Sequence, residues 1–560
     1  MTETTQRPTT ATGNTTAGGG REVDAVVVGA GLSGLYMLYR LREQGLTVQV
    51  YEAGDGVGGT WFWNRYPGAR VDVKSMEYSY SFDAALEQEW EWTEKYPPQE
   101  ELLRYVEHVA DRFDLRRDIA LQTRVTETVY DEDAERWAVR TDTGDEVSAQ
   151  FLVMATGCLS AAKVPEMPGL NSFRGPWYHT GHWPTEGVDF TGQRVGLVGT
   201  GSSGVQSIPV IARQAARLTV FQRTPNFVIP AHNHPIDPEH QRSVKADYPA
   251  VRKAARTSGF GIPTPEATRS ALEVPAEERD AYYASNWYDE DNSLVGLLTG
   301  YTDMITDRAA NDTAAQYVRD RIAEIVHDPE VARMLQPTDH PFGTKRPCLG
   351  TDYYETYNLP HVRLVDVRKT PLVEITPAGM RTAEEEFEFD ALVFATGFDA
   401  MTGALSAIDI RGRGGVRLSE KWAAGPRTYL GIGVAGFPNM FVVTGPGSPS
   451  VLSNMMVSIE QHVEWISDAV AALRAEGLGT IEPTVEAEDA WTQHVDEVGH
   501  MTLYPTANSW YMGDNVPGKP RVFMPYIGGV GNYRVKCEQV AAEGYEGFVR
   551  SGHAARVSAG

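Results

Sequence analysis

Two glycine-rich hexads have the residue types and spacing to hold phosphate. Gly29-Ala30-Gly31-Leu32-Ser33-Gly34 and Gly199-Thr200-Gly201-Ser202-Ser203-Gly204 both follow G-x-G-x-x-G. In that spacing the first glycine allows a tight turn, and the second lets backbone approach a pyrophosphate. The N–H groups and dipole of the following helix then attract the phosphates. The motif means little unless a buried strand precedes it and a helix follows. Val23–Val28 is such a strand for the first copy; Leu35, Leu38 and Leu41 then recur at helical spacing, and Val48, Val50 and Tyr51 form the next strand. The second copy follows Arg194–Val198 and opens an apolar helix expected to run through Ala215, with a strand over Leu218–Phe221. Pro209 is expected in the first turn or two of that helix, where its missing N–H costs least.

The residue closing each second strand selects the nucleotide. In the first unit it is Glu52. A carboxylate there accepts hydrogen bonds from ribose hydroxyls and repels a 2′-phosphate. In the second unit the equivalent region carries Arg223 and Thr224, and a guanidinium binds phosphate through two hydrogen bonds. The first unit is therefore expected to bind FAD through Gly29, Gly31, Ser33, Gly34 and Glu52. The second is expected to bind NADPH through Gly199, Thr200, Gly201, Ser202, Ser203, Gly204, Arg223 and Thr224. Gly58-Gly59-Thr60-Trp61 reads either as close backbone approach to a flavin or as a simple turn before a core tryptophan.

The elements that must position these turns form a repeated βαβ pattern. Phe151–Gly157 and Ala391–Gly397 are alike, each a buried strand ending in Ala-Thr-Gly, and are expected where the chain leaves one core for the other. From Pro230 to about Thr338 the sequence turns polar and helical. The expected fold is α/β, with two Rossmann-like dinucleotide-binding domains and a helical subdomain inserted in the second. Residues 21–150 and 390–560 would form the FAD domain, 151–229 and 339–389 the NADP domain, and 230–338 the insertion. Residues 1–20, rich in Thr and Gly, read as a disordered tail.

Composition narrows the partners. The formal charge is −25 over 560 residues, which disfavours nucleic acid and anionic membrane as partners. No stretch reads as a signal peptide or a membrane span. Three cysteines, Cys158, Cys348 and Cys537, show no metal-ligand or redox-pair spacing, and fit reduced thiols in a cytoplasm. No metal site is expected; His179 and His182 have no carboxylate or thiol beside them.

Phe173 to Pro184 fits F-x-G-x-x-x-H-x-x-x-W-P, with Phe173, Gly175, His179, Trp183 and Pro184 at the fixed positions, just before the second unit. This resembles the fingerprint of type I Baeyer–Villiger monooxygenases. The resemblance extends over nearly all of the chain after the tail. It is carried by Asn64–Asp72, Thr344–Pro347, Tyr353–Asn358, Gly445–Ser450 and Asn508–Tyr511.

The resemblance implies NADPH- and O₂-dependent oxidation of a ketone to an ester or lactone through a flavin C4a-peroxide, with sulfoxidation as a side activity. It implies that Arg346 is the catalytic arginine over the flavin and Asp72 the acid beside it. Arg346, Lys345, Gln206 and Trp510 would join the NADP site. Thr60, Trp61, Gly59, Asp72, Tyr78, Val125 and Met455 would join the FAD site. Val73, Cys158, Leu159, Ser450, Val451 and Leu452 would line the substrate pocket. In one family member the positions of Cys158 and Lys74 hold a glutamine and an acid, so pocket polarity differs within the family. The expected partners are a small ketone and O₂, acting on a monomer.

His179 has two readings: a general acid–base, or a hydrogen-bonded linker residue that sets domain orientation. Its place between the two units favours the linker. Three other functions compete; one, a flavin-binding sensor or scaffold without turnover, is disfavoured by two full nucleotide sites and the matched Arg346. A flavin monooxygenase that oxidises amines or sulfides would not call for the Trp183-Pro184 ending together with Arg346. A disulfide reductase needs a cysteine pair beside the flavin, and none exists.

Overall fold

A computed structural model describes residues 21–552. The tail expected over residues 1–20 lies outside the described residues.

Each glycine hexad sits at the carboxyl end of a buried parallel strand. In the first unit, β1 (Arg21–Val28) leads through Gly29 into α1 (Leu32–Glu43) and then β2 (Val48–Tyr51). β3 (Glu146–Met154) lies on the other side of β1, pairing Met154 with Val28. In the second unit, β4 (Arg194–Val198) leads into α2 (Ser202–Ala212) and β5 (Arg217–Gln222). These are the strand–turn–helix contexts predicted. The second helix stops at Ala212 rather than Ala215. Pro209 lies in its third turn rather than its first two, a position an apolar, fully packed helix tolerates.

The first sheet has eight strands. Its path runs Asp409–Arg411, Val125–Asp131, Arg136–Thr141, β3, β1, β2, Ile119–Ala120, and Met440–Val442 also pairs with β3. β3 changes partner along one edge: its first half pairs antiparallel with Arg136–Thr141 and its last residues pair parallel with Met440–Val442. The second sheet has five parallel strands in the order Val362–Asp366, β5, β4, β8 (Ala391–Phe394), Trp177–His179.

Two of the expected boundaries therefore cut strands from their sheets. β3 belongs to the first sheet through Met154, so the boundary at 150/151 falls too early. β8 belongs to the second sheet, so the boundary at 389/390 also falls too early. The reason is the same in both. An Ala-Thr-Gly stretch ends the third strand of each βαβ unit, and the chain changes core only after it.

The two Ala-Thr-Gly exits play matching parts. A Cβ on Gly29 (φ +105°) would lie 2.5 Å from the Ala155 carbonyl oxygen, and one on Gly199 (φ +112°) would lie 2.3 Å from that of Ala395. Only glycine fits either turn. Beyond them the two linkers run antiparallel: the Lys163 N–H donates to the Gly397 carbonyl (2.9 Å) and the Asp399 N–H to that of Ala161 (2.8 Å).

Between residues 230 and 338 the chain is helical, as expected. Pro238–Ala246 and Pro329–Leu335 each start with an aspartate cap followed by proline: Asp237 and Asp328 accept from the first-turn N–H groups, and proline at N1 gives up a bond the helix would not make. A short pair of strands, β6 (Val228–Pro230) and β7 (Cys348–Gly350), closes the base of this insertion.

Candidate active site

Arg346 immediately precedes Pro347 and β7, and Asp72 lies in the long connection after the first unit. The fold brings them together. Arg346 Nε donates to Asp72 Oδ2 (2.7 Å) and Nη2 to Oδ1 (2.8 Å), a two-point ion pair. Arg346 Nη1 donates to the Val451 carbonyl (2.9 Å). About a fifth of each side chain stays exposed. Burial works against the Arg346 charge, but the Asp72 carboxylate outweighs it and the pKa is raised above its ordinary value. The guanidinium is thus a permanent cation, aimed and half-neutralised by one carboxylate.

The first nucleotide turn has the features of a dinucleotide cradle. Gly31 faces only Gly59, whose Cα would lie 3.3 Å from an added Cβ. Glu52 is buried; its Oε2 accepts from the Ala30 N–H and its Oε1 from the Gly54 N–H, both at 2.8 Å. Those bonds fix the carboxylate at the mouth of the turn, with lone pairs left for a ribose. The buried Trp61 Nε1 has no hydrogen-bond partner, and the Trp61 and Tyr78 rings pack edge-on at 5.9 Å. These residues fit FAD. Ser33 is buried in α1, and Val125 is buried in the first sheet's core.

The second turn fits a phosphorylated dinucleotide. A Cβ on Gly201 would meet nothing within 4 Å, so open space lies beside the N-terminus of α2. Thr200 Oγ1 donates to the Thr224 carbonyl (3.1 Å), tying the turn to the end of β5. Arg223 is exposed there. Burial, and the neighbouring Arg223 and Arg368 guanidinium groups, draw the Lys345 ammonium below its ordinary pKa against the pull of Asp339. Arg223 and Lys345, brought near each other with Arg223 exposed, suit a phosphate.

An apolar cluster lies next to Arg346. It joins Cys158, Val451, Leu452, Tyr511 and Met512, with Leu159, Met455 and Trp510 packed against it. Cys158 Sγ donates to the Thr444 carbonyl (3.1 Å) and lies 3.1 Å from Ser450 Oγ. Burial pushes its pKa up, so it is a packed thiol rather than a nucleophile. Thr444 (φ +54°) and Ser450 (φ +36°) both hold left-handed backbone, a strained arrangement that turns Val451 toward Arg346. Val73, expected to line the pocket, is buried in the first core.

The fingerprint residues act as a joint. His179 ends the edge strand that pairs with β8 and is 2% exposed. Its Nδ1 accepts from the Gly181 N–H (3.0 Å), and its Nε2 faces Thr396 Oγ1 (3.1 Å), whose own proton goes to the Lys163 carbonyl (2.6 Å). That chain fits a neutral, Nε2-protonated ring. Burial, and then His182, lower its pKa to about 4. His179 is therefore neutral at pH 7 and locks the two linkers together. A Cβ on Gly175 would collide with the Asp390 carbonyl (2.4 Å), and Trp183 packs on Tyr178 and Phe190.

Several participants carry no sequence motif. Gln206 of α2 accepts from Tyr66 Oη (2.8 Å) and donates to the Arg70 carbonyl (3.1 Å), bracing the segment that carries Asp72. His462 Nδ1 accepts from the Thr444 N–H (2.9 Å), and its Nε2 lies 2.7 Å from Tyr533 Oη. Asn226 and Cys348 adjoin the Arg346 backbone. No local pattern marks these residues, because each partner lies far along the chain.

Two dinucleotide units with a half-buried arginine–carboxylate pair between them define a nucleotide-dependent oxidoreductase. The chain matches the flavin-binding monooxygenase-like family over residues 22–238. It is 43% identical over 540 residues to a Baeyer–Villiger monooxygenase of Pseudooceanicola batsensis, covering 96% of this chain and 98% of the relative. Among solved structures it is similar to an oxidised steroid monooxygenase bound to NADP (53% identity, TM-score 0.91, 95% and 99% of the two chains). It is also similar to a complex named OTEMO with FAD and NADP (41% identity, TM-score 0.91, 94% and 99%). The chain belongs to the flavin-binding monooxygenase-like family and, within it, to the Baeyer–Villiger monooxygenases. Among the described residues no helix is long and apolar enough to cross a membrane.

Proposed function

We propose that this protein inserts one atom of O₂ next to the carbonyl of a ketone, forming an ester or lactone at the expense of NADPH. The observation that carries the reading is the Arg346–Asp72 pair, set between the two nucleotide turns. FAD fits the unit of Glu52 and Trp61, and NADPH the unit of Arg223 and Lys345. Residues 230–338 form the helical insertion of the NADP domain.

Bound FAD, once reduced by NADPH, supplies the activation of O₂. The protein's part is charge and placement. Arg346, fixed by Asp72 and the Val451 carbonyl, stabilises negative charge as it develops on the reacting oxygens. Because Arg346 does not deprotonate near neutrality, it offers no proton to an anionic nucleophile. The cluster around Cys158, Leu452 and Trp510 would receive an apolar ketone and exclude water. Three buried free cysteines support a reducing, cytoplasmic setting, and we take the working unit to be a monomer.

The test is to incubate the flavin-loaded protein with NADPH, O₂ and phenylacetone, cyclohexanone, cyclopentadecanone, progesterone and thioanisole. An ester or lactone carrying one added oxygen supports the proposal. Sulfoxide alone, with no ester from any ketone, would overturn it.

A further inference from the structure

Asn226 adjoins the Arg346 backbone at a junction to which the site described above gives no role. It follows β5 by a few residues, just after Thr224. Its Nδ2 donates to the Arg346 carbonyl (2.9 Å) and lies 3.2 Å from Cys348 Sγ, while its Oδ1 accepts from the Phe227 N–H (2.9 Å). The Cys348 N–H in turn donates to the Phe227 carbonyl (2.9 Å). Cys348 Sγ lies 3.4 Å from the hydroxyl of Ser202, the first residue of α2. Thr200, two residues earlier, bonds the Thr224 carbonyl. One hydrogen-bonded path therefore joins the second glycine turn to the backbone of Arg346.

The path is built mainly of short polar side chains, and Cys348 and Thr200 on it are buried while Asn226 is half-buried. Cys348 is 2% exposed and Thr200 3%. The Asn226 side chain holds the Arg346 peptide from the segment that follows the glycine turn, and it meets Cys348, whose sulfur reaches Ser202 of that turn. Its Nδ2 serves the Arg346–Cys348 segment, and its oxygen accepts from the Phe227 N–H next to it, which fixes the side chain's own orientation. A substitution that keeps the shape but removes the donors should free the Arg346 peptide without opening a cavity.

We propose that Asn226 is a positioning residue: it couples the NADP-binding turn to Arg346, so that the guanidinium is held in its working place by the nucleotide unit. The proposal rests on the reading of Arg346 given under Proposed function. Asn226 touches neither reacting atom and acts through Arg346 alone.

The test uses the flavin-loaded full chain with Asn226→Asp, with Asn226→Ser as a second variant should the aspartate hold no flavin. Three quantities are read: NADP⁺ affinity by calorimetry, the change in the flavin visible spectrum on adding NADP⁺, and the split of NADPH electrons between ester and H₂O₂. With NADPH saturating, we expect ester formation to fall about tenfold or more and H₂O₂ to rise, with a weakened spectral change. NADP⁺ affinity should stay within about twofold. In an Arg346→Lys background the same substitution should add almost nothing. Parent-level coupling in both Asn226 variants, or an equal loss in both backgrounds, overturns the proposal. Arg346→Ala run alongside separates the two readings. If that variant still makes ester at the parent rate, the function of Arg346 has been misread, whatever Asn226 does.

Discussion

Arg346 and Asp72 stand 274 residues apart and meet through two hydrogen bonds of 2.7 and 2.8 Å. One comes from the insertion side of the second unit and the other from the connection that follows the first. Their pairing is a contact between the two cores, so the positions of both nucleotides bear on it.

Asp72→Ala leaves the guanidinium with one partner, the Val451 carbonyl. Product formation should fall about a hundredfold, since misplaced catalytic groups lose that order of rate. Asp72→Asn keeps one acceptor and should fall less. Steady-state rates with a turned-over ketone check the order; equal rates in both variants would show that Asp72 does not aim Arg346.

Arg223→Ala should lower kcat/KM for NADPH by about ten- to a hundredfold, the loss expected for a charge-assisted phosphate contact. NADH should be nearly unaffected, so the NADPH/NADH ratio is the readout. Lys345→Ala should shift the ratio the same way.

Glu52→Ala removes the acceptor of the Ala30 and Gly54 N–H groups and the carboxylate expected to meet a ribose. The purified variant should carry less flavin per chain, measured by visible absorbance against protein concentration. NADP⁺ affinity should not change.

His179 and His462 should shape the acid limb of stability. Burial lowers their pKa values from 6.5 to about 4 and about 3. In both, the folded state binds protons less readily than the unfolded chain does. Stability is thus fully present above pH 6.5 and is lost as pH falls from there toward 4. Tm should drop between pH 7 and pH 5, and His179→Gln should shallow that drop. An unchanged slope would mean that the His179 ring is not held neutral.

The sequence made the two nucleotide turns legible because their chemistry is local. Strand, glycine spacing, helix and the closing Glu52 or Arg223 lie within about thirty residues. Arg346 and Asp72 could be named only through the resemblance to a family; nothing near either residue announces the other. Asn226 and His462 escaped because their partners are 120 and 18 residues away and belong to other elements, and the bracing of Arg70 by Gln206 is equally non-local. The domain boundaries slipped by a few residues because Ala-Thr-Gly reads as an exit, while the strand before it still belongs to the sheet it leaves.

The most direct test of the central claim is the product made by Arg346→Ala, loaded with FAD and saturated with NADPH, given the best ketone of the panel. The account predicts that ester or lactone formation falls about 10²- to 10³-fold or more, with any NADPH still consumed appearing as H₂O₂. Ester formation at the parent rate would contradict it, and would leave Arg346 as a nucleotide ligand only.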